Sequence, residues 1–192
     1  MKLVLASTSK FKSEILNKVN LKHLVLENNF DESTLKCDDV YEYVMNLAYG
    51  KANSVKCKKD SIILGLDTVL YVNNKILEKP KDIEEAKDNI RISSNNISKV
   101  ITGICLINTN TKEIVKDYQE TLIELNNISE EDIEFYIKNE KDALYVSGFV
   151  IENTLSNFVK KIDGSYYNIL GIPVEKIYSH LLKWNIHLCN LD

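Results

Sequence analysis

The chain has 192 residues, 44% hydrophobic and 27% charged, and carries a net charge of −4 at neutral pH. This is the composition of an ordinary soluble globular protein, of a length for one large domain or a domain with a smaller lobe. The acidic balance argues against a protein that coats nucleic acid, although a few local lysines can still hold a small anionic substrate.

Of the 24 basic residues only Arg91 is an arginine, so a bound phosphate must be met mostly by lysine, a point charge without arginine's bidentate fork. Cys37, Cys57, Cys105 and Cys189 lie far apart with no Cys-x-x-Cys pair, which predicts free thiols rather than a disulfide framework or metal knuckle. The opening Met1–Ala6 is too short for the apolar region of a signal peptide, and no apolar run approaches the roughly 20 residues that span a bilayer. A cytoplasmic protein with no membrane partner is expected.

Leu3–Ala6 is a short β-prone run that breaks into Ser7-Thr8-Ser9, followed by a helix over Lys10–Val19 with Phe11, Ile15, Leu16 and Val19 at helical spacing. A hydroxyl-rich turn at a helix start suits an anion, but it lacks the glycines of a phosphate loop, so a plain capped helix is the competing reading. His23–Leu26 reads as a second strand. Asp38–Lys56 reads as a helix with Val40, Val44, Leu47, Ala48 and Ala52 on its apolar face, and Lys51 beside that face. A lysine there is either functional or a charge suited to a helix C-terminus.

Ser61–Val69 is an apolar run punctuated by Gly65 and reads as a buried strand with Asp67 at its end. A carboxylate at the rim of a core is costly unless it is paired or holds a metal, and chemistry gathers at the carboxyl ends of buried strands. Asp67 is therefore a catalytic acid or the cap of a turn. Leu70–Leu77 predicts a hairpin turning on Asn73-Asn74, and Asp82-Ile83-Glu84-Glu85 opens a helix to about Ile92. Lys99–Asn108 and Glu113–Leu125 form two β-rich runs around the Thr109-Asn110-Thr111 turn.

Ser129 caps a helix carrying Ile133, Tyr136 and Ile137, and Ser147-Gly148-Phe149 marks a bend. Asp163-Gly164-Ser165 is a turn. Pro173 opens a last helix with Val174, Ile177, Leu181 and Leu182 on its face, and Trp184–Cys189 reads as a closing strand. Alternating strands and helices, then a β-rich middle, then helices predict a mixed α/β sandwich with a cleft. A P-loop and a Gly-x-Ser-x-Gly serine hydrolase elbow are both missing from the sequence.

Six motifs occur in one order: Leu5-Ala6-Ser7-Thr8-Ser9, Asp31-Glu32-Ser33, Leu66-Asp67-Thr68-Val69, Glu78-Lys79-Pro80, Thr102-Gly103 and Gly164-Ser165-Tyr166-Tyr167-Asn168-Ile169-Leu170-Gly171-Ile172-Pro173. The set resembles the Maf family of nucleotide pyrophosphatases, also called septum formation inhibitor Maf, from Lys2 to about Leu182. The resemblance implies a single Maf-like domain over the chain, with two α/β lobes related to inosine triphosphate pyrophosphatases and a cleft between them, often as a homodimer. It implies hydrolysis of a nucleoside triphosphate to the monophosphate and pyrophosphate with a divalent metal, Mg²⁺ or Mn²⁺. Asp67 falls at the family's catalytic acid and proton acceptor, Glu32 at its metal-associated acid, and Lys51 and Lys79 at its phosphate-contacting lysines. Ser7 and Ser9 match the serines of its first phosphate loop.

The sequence departs from the family in places. The usual Ser-Pro-Arg-Arg is Ser9-Lys10-Phe11-Lys12, where Lys12 keeps a charge and Phe11 does not; a usual histidine falls at Ser98. Three positions vary with the base. Arginine, threonine and glutamine accompany dTTP and UTP; an aromatic residue, glutamine and glutamate accompany 7-methyl-GTP. Here they are Phe11, Thr68 and Glu152. A phenyl face attracts the cationic methylguanine ring and a carboxylate accepts its N–H donors, which predicts a purine preference over dTTP. Phe11 packing on its own helix and a solvated Glu152 form the bland alternative. The lost arginine and histidine also leave open a nucleotide-binding regulator of septation that does not hydrolyse.

Overall fold

The computed structural model describes residues 1–57 and 59–191, which form a mixed seven-stranded sheet flanked by helices. The strands are β1 (Lys2–Ala6), β2 (Leu24–Leu26), β3 (Ser61–Val72), β4 (Lys75–Leu77), β5 (Ile97–Asn108), β6 (Ile114–Leu125) and β7 (Val159–Asp163). The helices are α1 (Lys10–Lys18), α2 (Val40–Ser54), α3 (Ile83–Ser93), α4 (Glu130–Asn139), the four-residue α5 (Tyr166–Ile169) and α6 (Val174–Lys183). The sheet order is β2-β1-β3-β5-β6-β7, with β4 paired to β3. Among the described residues no helix is long and apolar enough to cross a membrane.

Two compact units divide the chain. The first comprises residues 1–68, 101–119 and 165–192, and the second 69–100 and 120–164. In the first unit β1 pairs in parallel with β2 and with Ser61–Leu64 of β3. Side chains alternate across a strand, so Leu3, Leu5, Ile62, Leu64, Leu66, Ile104 and Leu106 fill one face with Ile15 and Leu16 of α1 and Ile177 and Leu181 of α6. The opposite face holds Val4, Ala6, Ile63 and Cys105 against Ala48 and Ala52 of α2.

Helix α2 reaches that face because the strands beneath it carry no side chain where it lands. A Cβ on Gly65 would stand 2.1 Å from the Ala48 carbonyl oxygen, and one on Gly103 2.1 Å from that of Val44. Only glycine permits this approach. Asp67 lies two residues beyond Gly65 and hence on the same face of β3, while Lys51 follows Ala48 by one turn of α2. The packing of one helix on two glycines thus brings Lys51 toward Asp67.

The second unit is built on α3 and α4. Asp82 caps α3 by accepting from Glu85 N, and Ser129 caps α4 by accepting from Asp132 N. Ile133, Tyr136 and Ile137 are the buried stripe of α4, as their spacing predicts. The β3–β4 hairpin turns on Asn73 and Asn74, both left-handed at φ 50° and 62°, as a two-residue turn requires.

Three expectations need correction. Asp67 does not end its strand: β3 runs on to Val72, because Leu70–Val72 pair with β4 and extend the ladder. Asp67 does lie beyond the last parallel pair with β1, Leu5↔Leu64. Trp184–Cys189 is not a strand; Asn185 adopts φ 55° and closes α6, with Ile186 N bonding back to Leu181 O, and Leu188–Asn190 form a 3₁₀ turn. On α6 the inward stripe is Ile177, His180 and Leu181, while Leu182 is 41% exposed.

Candidate active site

Three of the expected residues converge in the first unit. Lys51 Nζ lies 2.5 Å from Asp67 Oδ1 and 2.9 Å from Glu32 Oε1. The Lys51 and Asp67 side chains are largely buried, whereas Glu32 is 52% exposed. Burial, the largest single influence, lowers the tendency of the Lys51 ammonium to stay protonated. The adjacent Asp67 carboxylate, helped by Glu32, outweighs it and raises the Lys51 pKa above its ordinary value. Lys51 is thus held in its charged form and is not a proton acceptor.

Glu32 comes from a loop built to hold it there. Asp31 caps the short 3₁₀ turn Glu32–Thr34, its Oδ1 accepting from Ser33 N at 3.1 Å and Ser33 Oγ at 2.7 Å. Asn28 Nδ2 donates to Ala6 O at 3.2 Å and ties the loop to the end of β1. The Phe30 ring lies over Gly50 on α2, where a Cβ would meet Phe30 Cζ at 2.5 Å. Phe30 and Gly50 went unmarked in the sequence, because neither carries a charge or fits a motif.

The first loop is ordered by its own serines. Ser7 Oγ accepts from Ser9 N at 3.1 Å, and Ser9 Oγ accepts from Lys12 N at 3.4 Å as the cap of α1. In these two bonds each hydroxyl acts as acceptor and does not spend its own proton. Lys12 Nζ donates to Leu66 O at 3.4 Å, one residue before Asp67. Thr68 Oγ1 lies 3.0 Å from the hydroxyl of Thr102, which is wholly buried in β5. On α1 the buried residues are Ile15 and Leu16, while Phe11 is 46% exposed.

Lys79 and Glu152 belong to the second unit and are exposed there. Asn89 Nδ2 donates to Glu78 O and to Ser147 O, each at 3.1 Å, and so links the segment bearing Lys79 to the bend before Glu152. Tyr136 secures that bend further, donating to Gly148 O at 2.8 Å and accepting from Val150 N at 2.9 Å. Ser98, at the expected histidine position, is wholly buried in β5, and its Oγ has no hydrogen-bond partner among the described residues.

The fit to a divalent metal follows from the donors. Among the described residues no group of three or more His, Cys, Asp or Glu side chains gathers as a cage. Two carboxylates that already meet one cation are nevertheless the donor set suited to Mg²⁺, which takes one or two carboxylates and completes its shell with water and substrate phosphates. All four cysteines are free, and burial pushes the Cys105 thiol up to about 12, far from a nucleophile. A cavity of about 340 Å³ beside α2 is lined by Phe30, Leu35, Asn46, Tyr49, Asn53 and Lys116, and includes none of the expected site residues.

A family model described as Maf-like protein matches residues 2–184. A dTTP/UTP pyrophosphatase of Clostridium acetobutylicum is 37% identical, covering 98% of this chain and 100% of its own length. Relatives with the same name in Clostridium perfringens and Clostridium botulinum are 36% and 34% identical, each over 97% of this chain and 98% of their own.

Proposed function

The chain belongs to the Maf-like protein family, and from that premise we propose that it is a nucleoside triphosphate pyrophosphatase using dTTP and UTP. The observation that carries this reading is the convergence of Glu32 and Asp67 on Lys51 in a chain that aligns end to end with pyrophosphatases. The reaction adds water at the α-phosphorus, breaks the bond to the α–β bridging oxygen and releases the monophosphate and pyrophosphate. Asp67 takes the proton of the attacking water. Lys51 and Lys79 bind phosphate oxygens and stabilise the leaving pyrophosphate, while Ser7, Ser9 and Lys12 donate to the anion. A divalent metal such as Mg²⁺ or Mn²⁺, held by Glu32 and Asp67, supplies charge neutralisation and a water of lowered pKa. The domain then clears non-canonical or surplus nucleotides in the cytoplasm.

The base is the finer point. Phe11 and Glu152 alone favour a purine, but relatives spanning the whole chain are named for dTTP and UTP, which moves the proposal to the pyrimidines. Thr68 is the one of the three positions that fits the dTTP/UTP pattern of the family resemblance. Their names also disfavour a regulator without turnover. The exposed Phe11 ring keeps 7-methyl-GTP as the second substrate to test.

Pyrophosphate release is to be measured with dTTP, UTP, GTP and 7-methyl-GTP, with Mg²⁺ or Mn²⁺. dTTP or UTP should lead in kcat/KM, and Asp67→Asn should lower kcat by at least about a hundredfold, the low end of general-base contributions, with the Tm retained. Activity that survives Asp67→Asn defeats the catalytic assignment, and a tenfold lead for 7-methyl-GTP defeats the base.

A further inference from the structure

We propose that Lys51 is the resident cation of the Glu32–Asp67 pair, and that a divalent ion gains these carboxylates only as the ammonium leaves them for a substrate phosphate. The inference rests on the pyrophosphatase reading and adds an order of events to it. The metal joins together with the triphosphate and binds poorly ahead of it.

The geometry carries the argument. One ammonium contacts a carboxylate of β3 at 2.5 Å and a carboxylate of the Glu32 loop at 2.9 Å, so Lys51 stands at the point where the two acids meet. The acids carry two negative charges and Lys51 cancels one. Adding a divalent ion while Lys51 stays would set three positive charges within a few ångströms in a partly buried place, where screening is weak. A triphosphate reverses the balance. Its oxygens offer Lys51 a new anionic partner, so the ammonium exchanges carboxylate for phosphate contacts and both acids become available together.

The residue types suit an exchange. Lysine carries a compact charge on a flexible four-carbon stem with three rotatable donors, so it can change partners without moving α2. Glu32 is the exposed member of the pair and can follow. Asp67 is the fixed member, held in β3 two residues beyond Gly65.

The test is direct binding of Mn²⁺ to the full chain, read from the electron paramagnetic resonance signal of the free ion, without and with an α,β-methylene analogue of dTTP. The wild type should bind Mn²⁺ weakly alone and at least tenfold more tightly with the analogue. Lys51→Met should bind Mn²⁺ alone at least tenfold more tightly than the wild type and gain less from the analogue. Lys51→Gln, neutral but still polar, gives the same readout if the methionine variant does not fold, and Glu32→Gln should abolish the gain. Mn²⁺ affinity unchanged or weakened in both Lys51 variants overturns the proposal. Wild-type turnover of dTTP, measured alongside, separates the failures: turnover with unchanged Mn²⁺ affinity in the variants removes the exchange alone, and no turnover removes the reading beneath it.

Discussion

Phe11 leaves 46% of its surface exposed in the first turn of α1, whereas Ile15 and Leu16 further along the helix are buried. A ring in that position can stack on a base but cannot donate to the carbonyl oxygens of uracil and thymine; a guanidinium can, and its charge disfavours the cationic methylguanine ring. Phe11→Arg should therefore raise kcat/KM for dTTP about tenfold, the effect of one charge-assisted hydrogen bond of about 1.4 kcal/mol, and lower it for 7-methyl-GTP. An unchanged ratio between the two would remove Phe11 from base selection. At this scale the sequence was informative for three charged residues. Asp67, Glu32 and Lys51 were picked out by a family resemblance, and they meet in space; from composition and spacing alone each stayed open to a bland reading. Phe30, Gly50 and Asn89 gave no such signal. Their part is to hold something else, and that depends on what folds against them.

Helix α2 shows how an element turns small residues into a site. Gly65 and Gly50 both sit under close contacts, but they differ in what a methyl group would strike. At Gly65 it strikes the Ala48 backbone, so α2 must move as a body; Gly65→Ala should destabilise by about 3 kcal/mol, the upper part of the usual range for overpacking. At Gly50 the nearest atoms it strikes belong to the Phe30 ring, a side chain that can turn away, and alanine in a helix interior gains about 0.8–1 kcal/mol over glycine. Gly50→Ala should therefore keep its Tm while losing activity, because displacing Phe30 shifts the loop that brings Glu32 to Lys51. Tm and kcat/KM measured for both variants check this, and equal stability losses would refute it. The elements themselves were legible wherever caps and periodicity agreed, as at Ser9, Asp82, Ser129 and the Asn73-Asn74 turn. They were misread where tertiary pairing decided. The antiparallel contact of β4 carries β3 past Asp67, and a left-handed Asn185 turns an apolar tail away from strand geometry.

At the scale of the molecule, acid stability follows from where its carboxylates are held down. Among the described residues, Asp117 in the first unit and Glu130 in the second are held below the usual range. In the first, burial by itself would raise the Asp117 carboxyl, but Lys176 at 3.1 Å, His180 at 2.8 Å and the Tyr118 amide together lower it. In the second, the Arg91 guanidinium lowers Glu130. A carboxyl whose pKa is lower folded than unfolded adds stability that is full above the unfolded value and is lost as the pH falls through the folded one. Both groups thus contribute above about pH 4, the unfolded range of Asp and Glu, and the protein should weaken as the pH drops below it. The shares differ, because Asp117 is 27% exposed with three partners while Glu130 is 61% exposed and screened by water. Asp117→Asn should cost about 1.5–3 kcal/mol at pH 7, the range for hydrogen bonds to a charged group, and the gap to the wild type should close as the pH falls below 4. Glu130→Gln should follow the wild-type curve closely throughout. Urea unfolding of the three proteins from pH 7 down to pH 3 measures this, and a gap for Asp117→Asn that stays constant with pH would show that its charge does not hold α6 to β6.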